Sequence, residues 1–79
     1  MFYTYVLKSV KSGRFYIGYT SDVGKRILKH NDGKSRSTKS GIPWSLFYLE
    51  HYETKTEAIK REQEMKSWKS HDKLEQLKS

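Results

Sequence analysis

The sequence contains no cysteine. Disulfides cannot staple the fold, and a cysteine-ligated zinc site is excluded. The same absence suits a reducing compartment, so a cytoplasmic protein is expected. Three histidines, His30, His51 and His71, are too scattered to form a histidine-rich metal box. No apolar run approaches the ~20 residues of a membrane span. The N-terminus lacks the charged start and apolar middle of a signal peptide. Acidic residues are in the minority, nine against sixteen lysines and arginines, for a formal net charge of +7. A small basic domain suits polyanions, nucleic acid ahead of an anionic membrane. A basic amphipathic helix with a broad apolar face is missing, which argues against lipid. The plainer account of the charge is a solvated surface. At 79 residues the whole chain, 1–79, is expected to form one domain near the lower limit for a self-sufficient core.

What the chain does have is tyrosine placed early: four of its six tyrosines fall in the first twenty residues. Residues 1–9 alternate in the manner of a strand, "SVKSG" turns, and residues 14–20 alternate again, which predicts a β-hairpin with Gly13 at the turn. Ser21 or Asp22 is positioned to cap a helix running to about Asn31, with Gly33 as its stop. The stretch "GKSRSTKSG" is a loop without an apolar residue. Pro43 introduces "WSLFYLEHY", read as a third and well-buried strand. Thr54 and Glu57 have capping-box spacing ahead of a helix from about Lys55 to Trp68. Ser70 is placed to cap a final short helix, about His71 to Lys78. The predicted order is β-β-α-β-α-α: an α/β (α+β) layer structure with a small, mainly antiparallel three-stranded sheet flanked by helices.

Alternation assigns the faces of the hairpin. Tyr3, Tyr5 and Leu7 share one face of the first strand. Tyr16, Gly18 and Thr20 share one face of the second. Turn length places Tyr5 and Tyr16 on the same side, either diagonal or directly opposite. Val6, Phe15, Ile17 and Tyr19 form the greasier side, suited to the core. Gly18, beside the tyrosines, leaves a notch where another group can approach the backbone. Cross-strand aromatic pairing alone also accounts for the tyrosines, at ~0.2–1 kcal/mol per pair. On the first helix Arg26 and His30 lie one turn apart. On the second, Glu62 falls inside the stripe marked by Ala58, Ile59, Met65 and Trp68. A carboxylate there needs a cation, either a salt-bridge partner such as Arg26 or a metal. Trp44, Phe47 and Trp68 read as core residues.

Tyr3-Thr4-Tyr5, Tyr16-Ile17-Gly18, Thr20, Arg26 with His30 one turn on, and Glu62 within "EAIKRE" occur in an order that resembles the GIY-YIG nuclease superfamily, in particular its small stand-alone, UPF0213-like members. The resemblance spans nearly the whole chain. The first motif departs from the family's Gly-Ile-Tyr but keeps its final tyrosine, and the late asparagine of many members has no counterpart. The resemblance implies an endonuclease hydrolysing phosphodiester bonds in DNA, directed by structure and not by sequence, in repair or recombination. It implies catalytic roles for Tyr5, Tyr16, Arg26, His30 and Glu62, with Glu62 holding one divalent ion, Mg²⁺ or Mn²⁺, and with a tyrosine or His30 as base. Gly18 and Thr20 are expected to face the nucleic acid. Lys34, Arg36 and Lys39 in the basic loop are expected to hold its backbone, which gives affinity without sequence preference. DNA is expected ahead of RNA, and any specificity would come from a second copy or a partner protein. The alternatives are a catalytically weak nucleic-acid-binding module and, less favoured, a basic adaptor for protein or lipid.

Overall fold

In the computed structural model of the chain, the alternating N-terminal segments form the expected hairpin of β1 (Phe2–Ser9) and β2 (Phe15–Thr20). The structure describes residues 1–33, 36, 38–68 and 71–78, the side chains of His71 and Lys78 excepted. The turn is closed by Ser9 N–H donating to the Arg14 carbonyl at 2.8 Å and Gly13 N–H donating to the Ser9 carbonyl at 2.9 Å. Gly13 has φ of 76°, a left-handed value that glycine adopts without steric cost. The Ser9 hydroxyl accepts from Ser12 N–H at 3.0 Å and donates to the Gly41 carbonyl at 2.6 Å, tying the turn to the approach to the third strand.

That strand, β3 (Trp44–Tyr52), pairs antiparallel with β1, so the sheet order is β2-β1-β3 and β1 is central. The central position explains the unbroken burial of Thr4, Tyr5, Val6 and Leu7. β3 is an edge strand, which corrects its expected burial: Trp44 is buried, but Leu46 and Leu49 are 41% and 40% exposed. A register shift opposite Val6 and Leu7 pairs Val6 with Tyr48 and Leu7 with Leu46. The extra residue lets both Phe47 and Tyr48 pack onto the cluster around Val6, so the two leucines stay outside it.

The two sheet faces carry different cores. On one, Val6 and Ile17 pack with Met65 and Leu74 from α2 (Lys55–Ser67) and α3 (His71–Glu75), which a 3-10 turn, Gln76–Lys78, extends. Here the Thr4 hydroxyl donates to the Ala58 carbonyl at 2.8 Å. On the other, Tyr5, Leu7 and Trp44 pack with Tyr16, Ile42 and Ile27, the last from α1 (Val23–Asn31). The α1 cap is Asp22, whose carboxylate accepts from Lys25 N–H at 3.1 Å. Beyond its C-terminal end Gly33 has φ of 82°. The Asn31 amide brackets Trp44, donating to its carbonyl at 3.0 Å and accepting from its N–H at 2.7 Å, which locks the end of α1 to the start of β3. Thr54 caps α2: it accepts from Glu57 N–H at 3.3 Å and donates to the Glu57 carboxylate at 2.9 Å. Ser70, expected to cap the last helix, lies outside the described residues. On the α2 face of the sheet, the Glu50 carboxylate on β3 accepts from Tyr48 and Tyr52 at 2.6 Å each and from Arg61 Nε on α2 at 2.9 Å.

Candidate active site

Tyr5 pairs directly with Gly18 and Leu7 with Tyr16, so the two tyrosines are diagonal neighbours on the α1 face. Their ring centroids are 6.4 Å apart. The notch at Gly18 exists, but Tyr5 fills it. A Cβ at Gly18 would stand 2.5 Å from Tyr5 Oη and 2.7 Å from its Cζ. The missing side chain therefore admits a tyrosine ring of the same sheet before it admits anything from outside.

Tyr5 is 1% exposed and leads inward to a chain of polar groups. Its hydroxyl shares a hydrogen bond of 3.1 Å with His30 Nε2, and His30 Nδ1 shares another of 3.1 Å with Thr38 Oγ1. The Thr38 carbonyl accepts from the Trp44 indole N–H at 2.7 Å. Burial pushes the Tyr5 hydroxyl well above the ordinary tyrosine range; Tyr16 and Glu62 add to the shift and Arg26 opposes it. Burial likewise holds the His30 imidazole below its ordinary value, helped by the charges of Arg26 and Lys29. At neutral pH the pair is a neutral phenol against a neutral imidazole.

Around this pair opens a cleft of about 520 Å³. Tyr5, Tyr16, Gly18, Thr20, Arg26 and Glu62 line it, with Phe2, Tyr19, Ser21 and Lys55. Four of the five expected catalytic residues thus face one space. His30 is outside that lining: it is buried behind Tyr5 and backs the site from within.

Glu62 reaches the cleft from α2, and its side chain is 14% exposed. Its ion-pair partner is Lys66, one turn on at 3.7 Å, and not Arg26. Lys66 is itself 53% exposed, so the pair is a weak, solvent-screened one. Among the described residues no group of three or more His, Asp or Glu side chains converges as a metal cage. Among the described residues, Glu62 is the one carboxylate in the lining of the cleft. A single carboxylate beside open solvent fits a magnesium ion, which keeps most of its water and binds through one or two carboxylates plus phosphate oxygens.

The residues expected to face nucleic acid divide. Gly18 and Thr20 line the cleft. The Thr20 hydroxyl is engaged locally, accepting from Asp22 N–H at 3.1 Å and donating to the Asp22 carbonyl at 3.3 Å, so it shapes the entry to α1. Arg36 and Lys39 are exposed and do not line the cleft. Lys34 lies outside the described residues. Lys55 was not singled out from the sequence, yet it lines the cleft. Its signal was available: it sits two turns before Glu62 on the same helical face.

The family model described as the GIY-YIG catalytic domain matches residues 1–76. Among similar proteins, the UPF0213 protein SSP2268 of Staphylococcus saprophyticus is 45% identical over 73 residues, which cover 91% of this chain and 88% of that protein. The UPF0213 protein SERP0126 of Staphylococcus epidermidis is 42% identical over 76 residues, covering 95% and 92%. The solution NMR structure of the UPF0213 protein BH0048 from Bacillus halodurans matches with a TM-score of 0.59 at 38% identity, over 98% of this chain and 82% of that one. These names carry a family number and no activity.

Proposed function

The chain belongs to the GIY-YIG family of nuclease domains, and on that premise we propose that its cleft hydrolyses phosphodiester bonds in DNA as a divalent-metal-dependent endonuclease. The observation that carries this is the meeting of Tyr5, Tyr16, Arg26 and Glu62 on one cleft of a basic protein. Such hydrolysis needs a proton acceptor for water, positive charge on the phosphate, and support for the leaving oxygen. Arg26 supplies a planar, permanently charged fork that matches two non-bridging oxygens. A divalent ion bound at Glu62 would neutralise the charge that builds up on the phosphate.

The proton acceptor is assigned to Tyr16. What supports Tyr16 over Tyr5 is burial. Tyr5 is enclosed, and its surroundings resist the phenolate. Tyr16 is only partly buried and opens on the cleft. Arg26 lines the same cleft. Tyr5, held by His30, is a positioning residue that fixes the floor on which Tyr16 and the phosphate meet. The lining offers charges and phenols instead of a helix presented to a groove, which supports cleavage by structure and not by base sequence. A role in DNA repair or recombination in the cytoplasm is part of the same proposal.

Glu62→Gln tests the proposal. It keeps shape and removes the charge. Cleavage of labelled duplex, single-stranded and branched DNA in Mg²⁺ is expected to fall by orders of magnitude while binding persists. Melting should hold within about 0.5 kcal/mol, because the lost partner, Lys66, is largely exposed. Full cleavage by the variant would refute the role of Glu62. A wild type that binds DNA but cleaves none of these substrates in Mg²⁺ or Mn²⁺ would leave the catalytically weak binding module in place of the enzyme.

A further inference from the structure

A second, smaller trough of about 260 Å³ lies against the cleft, lined by Thr20, Ser21, Asp22, Lys25, Arg26 and Lys29. Thr20, Ser21 and Arg26 line both spaces, so the two are continuous across Arg26. Lys25 and Lys29 stand one turn apart on α1, with Arg26 between them in sequence. Among the described residues no carboxylate lies within ion-pair distance of any of the three. The one acid in the trough, Asp22, accepts from the backbone N–H of Lys25 as the helix cap. Among the described residues the ion pairs lie elsewhere, Lys8 with Glu75, Arg61 with Glu50 and Glu64, Lys66 with Glu62, and the exposed Lys11, Lys55 and Lys60 are likewise in none of them. Three cations share the trough with one carboxylate, so the local charge is net positive and a polyanion is attracted to it. Their field is felt locally, since Arg26 and Lys29 both help keep the buried His30 neutral.

We propose that this trough is the track for the nucleic-acid strand beside the scissile phosphate: Arg26 holds the phosphate in the cleft, and Lys25 and Lys29 hold the phosphates next to it on the same strand. The inference rests on the proposed phosphodiesterase function and adds the path of the substrate. It adds the exposed face of α1 to the backbone contacts expected from the loop bearing Arg36 and Lys39. Contacts of this kind fix register and supply affinity, and they carry no base preference.

The test is a salt titration of binding, with fluorescein-labelled duplex and branched DNA, in EDTA, so that no cleavage intervenes. Each phosphate contact contributes a slope of about −0.9 in log K against log salt on duplex DNA. Lys25→Gln/Lys29→Gln is expected to flatten the slope by about 2 units. Lys11→Gln/Lys60→Gln removes the same charge from exposed positions outside both spaces and is expected to leave the slope nearly unchanged. The single variants, each expected to lose about 0.9, serve if the double variant fails to fold. An unchanged slope in the Lys25/Lys29 variants overturns the track, as does an equal loss in both double variants, which would reflect net charge alone. Wild-type protein that binds neither DNA overturns it too. Cleavage of the same DNA by wild type in Mg²⁺ is scored separately. Binding that loses slope as expected without any cleavage keeps the track and removes the enzymatic function, and cleavage with an unchanged slope does the reverse.

Discussion

Gly18→Ala is the substitution that most directly probes how the site is built. The added Cβ would meet Tyr5 Oη at 2.5 Å and Cζ at 2.7 Å, well inside contact distance. The clashing atoms belong to a side chain, so relief requires Tyr5 to swing away. Tyr5 is 1% exposed, bonded to His30 at 3.1 Å, and packed on Leu7 and Trp44. Moving it strains that cluster and strips the buried imidazole of a partner. Overpacking of this type costs about 1–3 kcal/mol. In a domain of this size each kcal/mol lowers Tm by roughly 4–8 °C. Gly24→Ala is the control: its Cβ would come no nearer than 3.6 Å, to the Asp22 carboxylate, and melting should not fall.

Thermal melting followed by circular dichroism measures the effect, and a double-mutant cycle assigns it. In the Gly18→Ala background, Tyr5→Leu should cost less than in wild type, because the smaller side chain vacates the contested space. A coupling of about 0.5–3 kcal/mol is expected for residues in such contact. If Gly18→Ala melts like wild type yet loses DNA binding, the glycine serves the approach of the phosphate backbone and the internal account is refuted.

Two further outcomes follow from titrating groups. His30, held below its ordinary pKa by burial and by Arg26 and Lys29, keeps its proton off in the folded state while the unfolded chain takes one up below about pH 6.5. Stability should therefore fall as pH drops through that value, and the NMR titration of the His30 ring should show a midpoint below it; a midpoint at or above 6.5 would contradict the burial argument. Glu50 is pushed up by burial but pulled further down by its bonds from Arg61, Tyr48 and Tyr52, so its folded value is depressed. Its contribution is present at neutral pH and lost as pH falls through the carboxylate range, and Glu50→Gln should lower Tm at pH 7 while flattening the acid limb of the melting curve.

Much of this was legible in the sequence because the signals are local. Strict alternation placed Tyr5 and Leu7 opposite Thr4 and Val6, and the two cores divide along that line. Capping chemistry at Asp22 and Thr54 fixed the helix starts within a residue. The misread features depend on long-range geometry. "WSLFYLEHY" has the composition of a central strand, but edge or centre is decided by strand order, and β1 took the middle. The occupant of the Gly18 notch depends on hairpin register, which turn length alone left open between diagonal and opposite tyrosines. The stripe position of Glu62 correctly marked it as largely enclosed, whereas the choice of Lys66 over Arg26 is one of side-chain reach.

A domain this small makes its site wall from its core, and that shapes how variants must be read. Tyr5 and Tyr16 belong at once to the cleft and to the cluster that packs Leu7 and Trp44 under α1. Any truncation of either tyrosine removes a cleft group and opens a cavity, so lost activity there is not evidence of chemistry unless melting is unchanged. Glu62 differs in kind. It reaches the same cleft from the opposite helix, and its only ion-pair partner among the described residues is a largely exposed lysine. Removing its charge asks little of the fold and much of any metal-dependent chemistry. Activity and stability are thus coupled on the α1 side of the cleft and separable on the α2 side. It is on α2 that a single substitution can distinguish an enzyme from a protein that merely binds.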